Sequence, residues 1–254
     1  PNNQGLVIHT SDQKLFYYDI KKKKKREIAQ MESKVNGMAV YHKPNGASHY
    51  IAITMDNGKL VLLDSNNNYQ RQDFFTNTLN GKPVKMQAVS FSTTGKFLAA
   101  GDVNGIIRIW DFSTPQKKLK IQLEGHTAII SNIEFNQNDT QMATASFDKD
   151  VRLWNLREDK LTNSPIVLDD HKTWVWSIAF SNDGNYLLAG CRDNLVRLWP
   201  TNPNLMGDIL TKKGIQNLSL EEWKRYVAKD IDYEQTFKAP LKKGNVKPSS
   251  TNRK

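Results

Sequence analysis

Residues 126–154 read HTAIISNIEFNQNDTQMATASFDKDVRLW, and residues 171–199 read HKTWVWSIAFSNDGNYLLAGCRDNLVRLW. Both stretches begin with His and end 28 residues later with Trp, and both carry Asp six residues before that Trp. Between these fixed points, short apolar runs alternate with turn residues such as Asn, Asp and Gly. This alternation is typical of β-hairpins. The two stretches therefore predict one structural unit, made of strands and tight turns, that is used twice.

Three weaker copies of this unit precede the two clear ones. Tyr18, Leu63 and Trp110 align with Trp154 and Trp199, and the steps between these five positions are 45, 47, 44 and 45 residues. We number the units 1 to 5 in this order. A period of this size predicts four-stranded antiparallel sheets repeated around an axis, which is an all-β fold. Asp or Asn, which can close a tight turn by bonding nearby backbone, stands six residues before each aligned position: Asp12, Asn57, Asn104, Asp148 and Asp193.

Over roughly residues 6 to 199, this pattern resembles the WD-repeat family. The resemblance implies a β-propeller of four-stranded antiparallel blades, one blade per unit, with about four and a half blades in this chain. It also implies a seven-bladed ring in the parent protein. We therefore expect the chain to be a fragment, with upstream blades of the same parent chain completing the ring.

The resemblance also implies a buried hydrogen-bonded set of His, hydroxyl, Asp and Trp inside each blade. In unit 4 the set is His126, Ser146, Asp148 and Trp154. Unit 5 has His171, Asp193 and Trp199, with Cys191 at the hydroxyl position. Unit 3 has Asp102 at that position and lacks the Gly-His pair that unit 4 has at Gly125-His126. Unit 2 lacks both His and Trp. We expect those two units to be held mainly by apolar packing.

A hydroxyl, a His and an Asp could also indicate a nucleophilic triad. Such a triad needs an accessible hydroxyl and oxyanion donors, whereas the repeat predicts that these residues are sealed between strands. The sequence has no phosphate-binding loop, no His-Glu-x-x-His and only one cysteine. His42 and His49 flank a Pro-Asn-Gly turn, where we expect solvent-facing rings rather than a metal site. We predict no catalytic residue, no metal and no cofactor.

In the WD-repeat family, partners bind the rim that carries the tight turns, through three positions per blade. Carried onto this chain, the positions in units 2 and 3 are Lys34, Asn36, Asp56, Lys85, Gln87 and Val103. Those in units 4 and 5 are Ile129, Ser131, Phe147, Trp174, Trp176 and Arg192. Because Trp and Arg are enriched at interface hot spots, we predict a partner-binding rim of Ile129, Phe147, Trp174, Trp176 and Arg192. The alternative is that both Trp side chains pack into adjacent units.

Charge and cysteine content limit the classes of partner. The net charge is +10, but residues 21–26 and 238–254 carry twelve positive charges between them, so the rest of the chain is close to neutral. We therefore do not expect nucleic acid as the main partner, although a scaffold in a nucleoprotein assembly is the alternative function. No apolar run is long enough to span a membrane and no signal sequence is visible. With Cys191 as the only cysteine, these features predict a cytoplasmic protein.

Beyond Trp199 the apolar spacing becomes helical. We predict three domains: propeller blades in 1–200, a helical segment docked on the propeller in 201–237, and a basic disordered tail in 238–254. The helical segment begins at Asn202-Pro203, and Ser219 with Glu222 forms the capping box of a second helix.

Residues 216–236 resemble a tail that follows the last repeat in bacterial WD-repeat proteins. Those are often large regulatory chains with an N-terminal NTPase of the signalling (STAND) class. The sequence therefore predicts a non-catalytic protein- or peptide-binding module, a scaffold or sensor for signalling within a larger bacterial protein. An upstream catalytic or NTPase domain in the parent is left open.

Overall fold

A computed structural model of the chain describes residues 5–43, 48–157 and 164–212. Within these ranges nearly all regular structure is strand. In chain order the strands are β1 Gly5–His9, β2 Lys14–Asp19, β3 Lys24–Gln30, β4 Val35–His42, β5 His49–Met55, β6 Lys59–Asp64, β7 Gln70–Thr76, β8 Thr78–Leu79, β9 Lys82–Pro83, β10 Met86–Phe91, β11 Phe97–Asp102, β12 Ile107–Asp111, β13 Leu119–Leu123, β14 Ile130–Phe135, β15 Gln141–Ser146, β16 Val151–Asn155, β17 Ile166–Leu168, β18 Val175–Phe180, β19 Tyr186–Cys191 and β20 Val196–Pro200. The helices are a 3-10 turn at Ser65–Asn67 and α1 at Pro203–Lys212.

The strands form one antiparallel sheet per unit, in sequence order. Unit 1 is β1-β2-β3, unit 2 is β4-β5-β6-β7, unit 3 is β10-β11-β12-β13, unit 4 is β14-β15-β16-β17 and unit 5 is β18-β19-β20. Strands β8 and β9 make a small hairpin before unit 3. The all-β class and the partial β-propeller are confirmed. Within the described residues, unit 1 has three strands rather than two, and unit 5 has three rather than four.

Neighbouring units pack face to face, so most strands are buried on both sides. In β11, Phe97 and Ala99 lie in the apolar cluster shared with unit 4, whereas Leu98 and Ala100 lie in the cluster shared with unit 2. Two similar clusters join unit 1 to unit 2 and unit 4 to unit 5. The first strands of units 2 to 5 also contact one another in chain order. This packing explains why the strands are nearly continuous in apolar residues instead of alternating with polar ones.

Unit 5 leaves one apolar face exposed. Leu188, Val196 and Leu198 are 44%, 69% and 58% exposed. Forty-five residues earlier, the matching residues Ala143, Val151 and Leu153 of unit 4 are buried against unit 5. The outward face of unit 5 therefore has the composition of a face that unit 4 buries.

The chain divides into two compact parts between Trp199 and Pro200. In the second of these, α1 begins at Pro203, the first helical position that the sequence predicts, and Met206 N–H donates to the Asn202 carbonyl at 3.0 Å. The predicted second helix, the segment 216–236 and the basic tail 238–254 lie outside the described residues. In the part of the chain that the structure describes, no helix is long and apolar enough to cross a membrane.

Candidate functional site: polar networks and the aromatic rim

The hydrogen-bonded set of unit 4 runs from the loop before β14 into β15 and β16. His126 Nδ1 lies 2.8 Å from Asp148 Oδ2, and His126 Nε2 lies 2.9 Å from the hydroxyl of Thr144. The indole N–H of Trp154 donates to the same hydroxyl at 2.9 Å. His126, Thr144 and Trp154 are all buried. The set is therefore a continuous chain of hydrogen bonds from the turn Asp to the Trp within the sheet.

Donor and acceptor chemistry gives the direction of two of these hydrogen bonds. An indole N–H can only donate, so the Thr144 hydroxyl accepts from Trp154, and the same hydroxyl bonds His126 Nε2. An ionised carboxylate can only accept, so Nδ1–H of His126 donates to Asp148. Burial by itself raises the pKa of Asp148, but hydrogen bonds from His126 and from two backbone N–H groups outweigh burial and lower this pKa to about 2. Asp148 is therefore ionised in the native protein.

The hydroxyl in this set belongs to Thr144, and the sequence-based assignment to Ser146 was wrong. Ser146 Oγ donates to a backbone carbonyl and accepts from the backbone N–H of Asp148, so it shapes the turn instead. The register of β15 on β16 explains the shift. Trp154 lies opposite Met142, which makes Thr144 its diagonal neighbour on the same face of the sheet. Spacing along the chain does not distinguish Thr144 from Ser146, so only the register of the two strands identifies Thr144.

The same geometry argues against nucleophilic catalysis at this site. Asp148, His126 and Thr144 have the connectivity of a triad, but Thr144 has no exposed surface. Its oxygen already accepts from Trp154, and a nucleophile needs an accessible hydroxyl beside oxyanion donors. The arrangement can hold two strands and a loop together, and it offers no reacting atom to a substrate.

In unit 5 the corresponding side chains do not form a connected set. Ala189 stands where unit 4 has Thr144, so no hydroxyl lies between His171 and Trp199, whose ring centroids are 5.9 Å apart. Among the residues that the structure describes, His171 Nε2 and Trp199 Nε1 are buried without a hydrogen-bond partner. His171 Nδ1 donates to the Leu168 carbonyl at 3.1 Å instead of to an Asp.

Asp193, the turn residue of unit 5, pairs with Arg197 rather than with His171. Their closest oxygen and nitrogen are 2.9 Å apart, and the hydrogen bond from Arg197 lowers the pKa of Asp193. Burial lowers the pKa of His171, and the charge of Arg197 lowers it further. The predicted set of His171, Asp193 and Trp199 is therefore corrected: its Asp serves an Arg of the same unit.

Cys191 is predicted from the sequence to occupy the hydroxyl position of unit 5. In the structure it is buried at the end of β19. Burial raises the pKa of its thiol. Its Sγ lies 3.9 Å from the Ala189 carbonyl and is not positioned between His171 and Trp199. A raised thiol pKa and burial are features of an unreactive cysteine.

Arg108, Arg152 and Arg197 repeat two residues before the Trp in units 3 to 5. Their common position in neighbouring units would suit salt bridges between blades, but the structure pairs them differently. Each pairs with an acid of its own unit: Arg108 with Asp102 at 3.1 Å, Arg152 with Asp150 at 3.5 Å and Arg197 with Asp193 at 2.9 Å. In unit 3, Asp102 also accepts from the side chain of Asn77 at 2.9 Å, which gives this unit a different polar network.

The rim of units 4 and 5 carries an aromatic cluster, which we define as Phe147, Trp174 and Trp176. Phe147 stacks on Trp174 with centroids 4.7 Å apart and an angle of 8° between the rings. Trp176 meets both rings edge to face, with centroids 4.9 and 6.1 Å away. Arg192 lies over Trp174, with Cζ 4.6 Å from the ring centroid. The structure thus brings four of the five predicted rim side chains together.

Hydrogen bonds to backbone carbonyls hold this rim in place, within each of the two units and between them. The N–H of Phe147 donates to the Ile129 carbonyl, and the N–H of Arg192 donates to the Trp174 carbonyl, both at 3.0 Å. Ser131 Oγ donates to the Val175 carbonyl at 2.6 Å and links unit 4 to unit 5. The half-buried Ile129 is thus tied to the cluster through its backbone.

Exposure decides between the two interpretations of the tryptophans. Trp174 is 38% exposed and Trp176 is 49% exposed, so neither is a core residue. Their packing on Phe147 does join units 4 and 5, yet it leaves ring surface open to solvent. The cluster is a surface feature with a packed base.

The rim of units 2 and 3 is polar and already paired within the protein. Asn36 donates to Asp56 and to the Met86 carbonyl, each at 2.9 Å. Lys85 makes a salt bridge to the same Asp56 at 3.1 Å. Val103 N–H donates to the Lys85 carbonyl. This part of the rim offers a partner few unpaired groups.

His42 and His49 lie directly opposite each other on β4 and β5, with ring centroids 5.5 Å apart. His42 is exposed, whereas His49 is half-buried and its Nε2 shares a hydrogen bond with the Tyr69 hydroxyl at 3.0 Å. Burial lowers the pKa of both rings. Within the described ranges, no three His, Cys, Asp or Glu side chains are grouped as metal ligands would be.

Comparison with known proteins agrees with the fold. The WD domain, G-beta repeat family matches residues 75–111, 117–155 and 163–200, and each match ends one residue after the Trp of unit 3, 4 or 5. The human WD repeat and SOCS box-containing protein 1 is 38% identical over 117 residues, which are 46% of this chain and 27% of that protein. The Arabidopsis thaliana transcriptional corepressor LEUNIG_HOMOLOG is 34% identical over 119 residues, which are 46% of this chain and 15% of that protein.

A guanine nucleotide-binding protein subunit beta-like protein of Encephalitozoon cuniculi (strain GB-M1) is 25% identical over 158 residues, 61% of this chain and 46% of that protein. The matches span less than half the length of each of these relatives. The fold and the three matched repeats support the WD-repeat family for this chain.

Proposed function

We propose that this chain is a non-catalytic module that binds a protein or peptide on the rim of units 4 and 5. The observation that supports the proposal is the aromatic cluster with Arg192 over it, in which two Trp rings are more than a third exposed. Contiguous apolar surface of this kind marks interaction sites, and Trp and Arg dominate interface hot spots. The paired rim of units 2 and 3 offers no comparable surface.

The cluster suits binding for an energetic reason. Its rings already stack on one another, so a partner that covers them orders few additional side chains. Truncating one aromatic anchor at the centre of an interface costs about 2 kcal/mol or more of binding free energy. We therefore assign Trp176, the most exposed ring of the cluster, as the anchor.

Replacement of Trp176 by Ala tests this assignment. One protein that the chain captures is purified, and its affinity for the chain is measured. We expect this affinity to fall by more than about tenfold in Trp176→Ala, because a hot-spot ring is lost. The control is Leu79→Ala, which removes another exposed apolar side chain, from the β8–β9 hairpin. Circular dichroism must show both variants folded. If a folded Trp176→Ala variant binds as well as the control does, this rim is not the binding site.

We also propose that this chain is part of a larger parent protein. The exposed face of unit 5 has the same apolar character as faces buried between other units, which supports further blades of a parent chain as neighbours. We further propose a scaffold or sensor role in cytoplasmic signalling within a larger bacterial regulatory protein. The bacterial assignment rests on the segment 216–236, and the full-length parent sequence tests it.

The alternative function, a scaffold in a nucleoprotein assembly, rests on the basic residues 21–26 and 238–254, of which the second range lies outside the described residues. In the structure, Lys25 Nζ lies 3.6 Å from the ring centroid of Phe16, and Arg26 lies over Tyr69 at 5.3 Å. These two cations therefore have contacts within the protein, which favours the solvated, structural interpretation. Titration with a 20-base DNA at two salt concentrations would distinguish the alternatives, since binding by residues 21–26 must weaken steeply with salt.

A further inference from the structure

Arg192 is the one rim residue whose chemistry specifies a ligand group. Its guanidinium lies over the Trp174 ring, and its backbone N–H donates to the Trp174 carbonyl. Within residues 5–43, 48–157 and 164–212, Arg192 forms no salt bridge. A guanidinium that stacks on a ring through its face keeps its in-plane N–H groups free, and those groups match the two oxygens of a carboxylate.

The acids nearest in sequence to this rim are already occupied. Asp148 accepts from His126, Asp150 lies 3.5 Å from Arg152, and Asp193 pairs with Arg197. Asp169 and Asp170 are exposed and precede His171, on the connection between β17 and β18. Arg192 is therefore a cation held beside an apolar surface, and Asp148, Asp150 and Asp193 each have a partner other than Arg192.

Resting on the function proposed above, we propose that the partner of this rim is a peptide segment in which an apolar side chain lies close to a single carboxylate. The apolar side chain covers Trp176 and Phe147, and the Asp or Glu carboxylate accepts two N–H groups from Arg192. The ring of Trp174 restricts the guanidinium, so less conformational freedom is lost when the carboxylate binds.

A carboxylate fits this surface better than a phosphate does. A phosphorylated side chain carries about two negative charges and is usually bound by a cluster of Arg residues. The rim offers one such Arg, and the exposed acids Asp169 and Asp170 lie on the connection that leads to β18. One positive charge on an apolar base is matched by one negative charge beside an apolar group.

An array of synthetic seven-residue peptides, probed with the full chain, tests the proposal. Each peptide carries one Leu, Phe or Trp and, one to three positions away, Glu, Gln, Lys or phosphoserine. We expect Glu peptides to bind about fivefold to tenfold more tightly than their Gln counterparts, because a charge-assisted bidentate bond is added at a partly exposed site. Arg192→Gln should abolish the difference between Glu and Gln and keep the preference for apolar residues.

Two further variants make the result specific. Lys172→Gln removes an exposed cation from the same connection and should leave the ratio of Glu to Gln affinity unchanged. Trp176→Ala should weaken all peptides alike. Peptides that depend on Trp176 but show no Glu preference, prefer Lys, or prefer phosphoserine alone would overturn this inference and leave the rim function standing. Peptides that bind independently of Trp176, or no binding at all, would overturn both.

Discussion

Units 4 and 5 share the same His, Asp, Arg and Trp positions, but only unit 4 joins them into a network. One residue makes the difference: Thr144 in unit 4 bonds both His126 and Trp154, and Ala189 replaces it in unit 5. Without the hydroxyl, Asp193 pairs with Arg197, and two buried nitrogens have no partner in the described residues. A repeat can therefore keep most of its motif residues and still lose the interaction that they serve.

The hydroxyl, rather than the His or the Asp, completes the set. A buried N–H without a partner costs free energy, whereas a satisfied network fixes strands and loops in one arrangement. Unit 4 is covered by units on both sides, and unit 5 exposes one face. We expect unit 4 to be the stable core of this region and unit 5 to be its weaker neighbour.

The largest effect should come from removing the two His rings in turn. His126→Ala breaks two buried bonds and leaves the ionised Asp148 without its ring partner, which should lower the free energy of unfolding by about 3 kcal/mol. His171→Ala removes the same ring but only one bond to a carbonyl, so we expect a cost of about 1 kcal/mol. Urea unfolding of both variants provides the comparison. Equal costs would show that the unit 4 network adds nothing beyond packing.

A second, smaller effect concerns acid stability. The pKa of Asp148 is lowered from 3.8 to about 2 in the folded protein, so the unfolded chain binds this proton more tightly. The stability that Asp148 contributes is complete above pH about 4 and is lost as the pH falls through about 2. Asp148→Asn removes this titration. The stability difference between the native protein and Asp148→Asn should therefore shrink between pH 5 and pH 3.

Measurements of urea unfolding at those two pH values check this expectation. Asp170→Asn, at an exposed carboxylate outside the set, is the matched control and should show the same difference at both pH values. A constant difference for Asp148→Asn as well would mean that His126 does not hold this carboxylate in its charged form.

The smallest effect is a gain, obtained by rebuilding the network in unit 5. Ala189→Thr should give His171 and Trp199 a shared hydroxyl and raise the free energy of unfolding by about 1 kcal/mol. Ala189→Val adds a side chain of the same shape without the hydroxyl and should give no gain. Cys191→Ser should also give none, because Cys191 does not lie between the two rings. Thermal unfolding of the three variants tests this, and a gain for Val equal to that for Thr would point to packing alone.

Some features of the candidate site were predictable from the repeat spacing together with the resemblance to the WD-repeat family. The spacing to Trp154 identified His126 and Asp148, and the rim positions identified Phe147, Trp174 and Arg192 as neighbours in space. Ser146 and Thr144 lie on the same face of β15, and sequence spacing does not show which of them is diagonal to the Trp. Register across the two strands decides that.

By itself, the sequence determined the repeating unit, its all-β character and the tight turns. Those features depend on residues close together in the chain: alternating apolar strands, and an Asp or Asn that bonds its own turn. The tertiary structure alone decided that Asp193 pairs with Arg197 rather than with His171, that Thr144 is the shared hydroxyl, and that Trp176 stays half exposed. These outcomes depend on which side chains meet across strands and between units, where partners compete for one group and the better contact excludes the other.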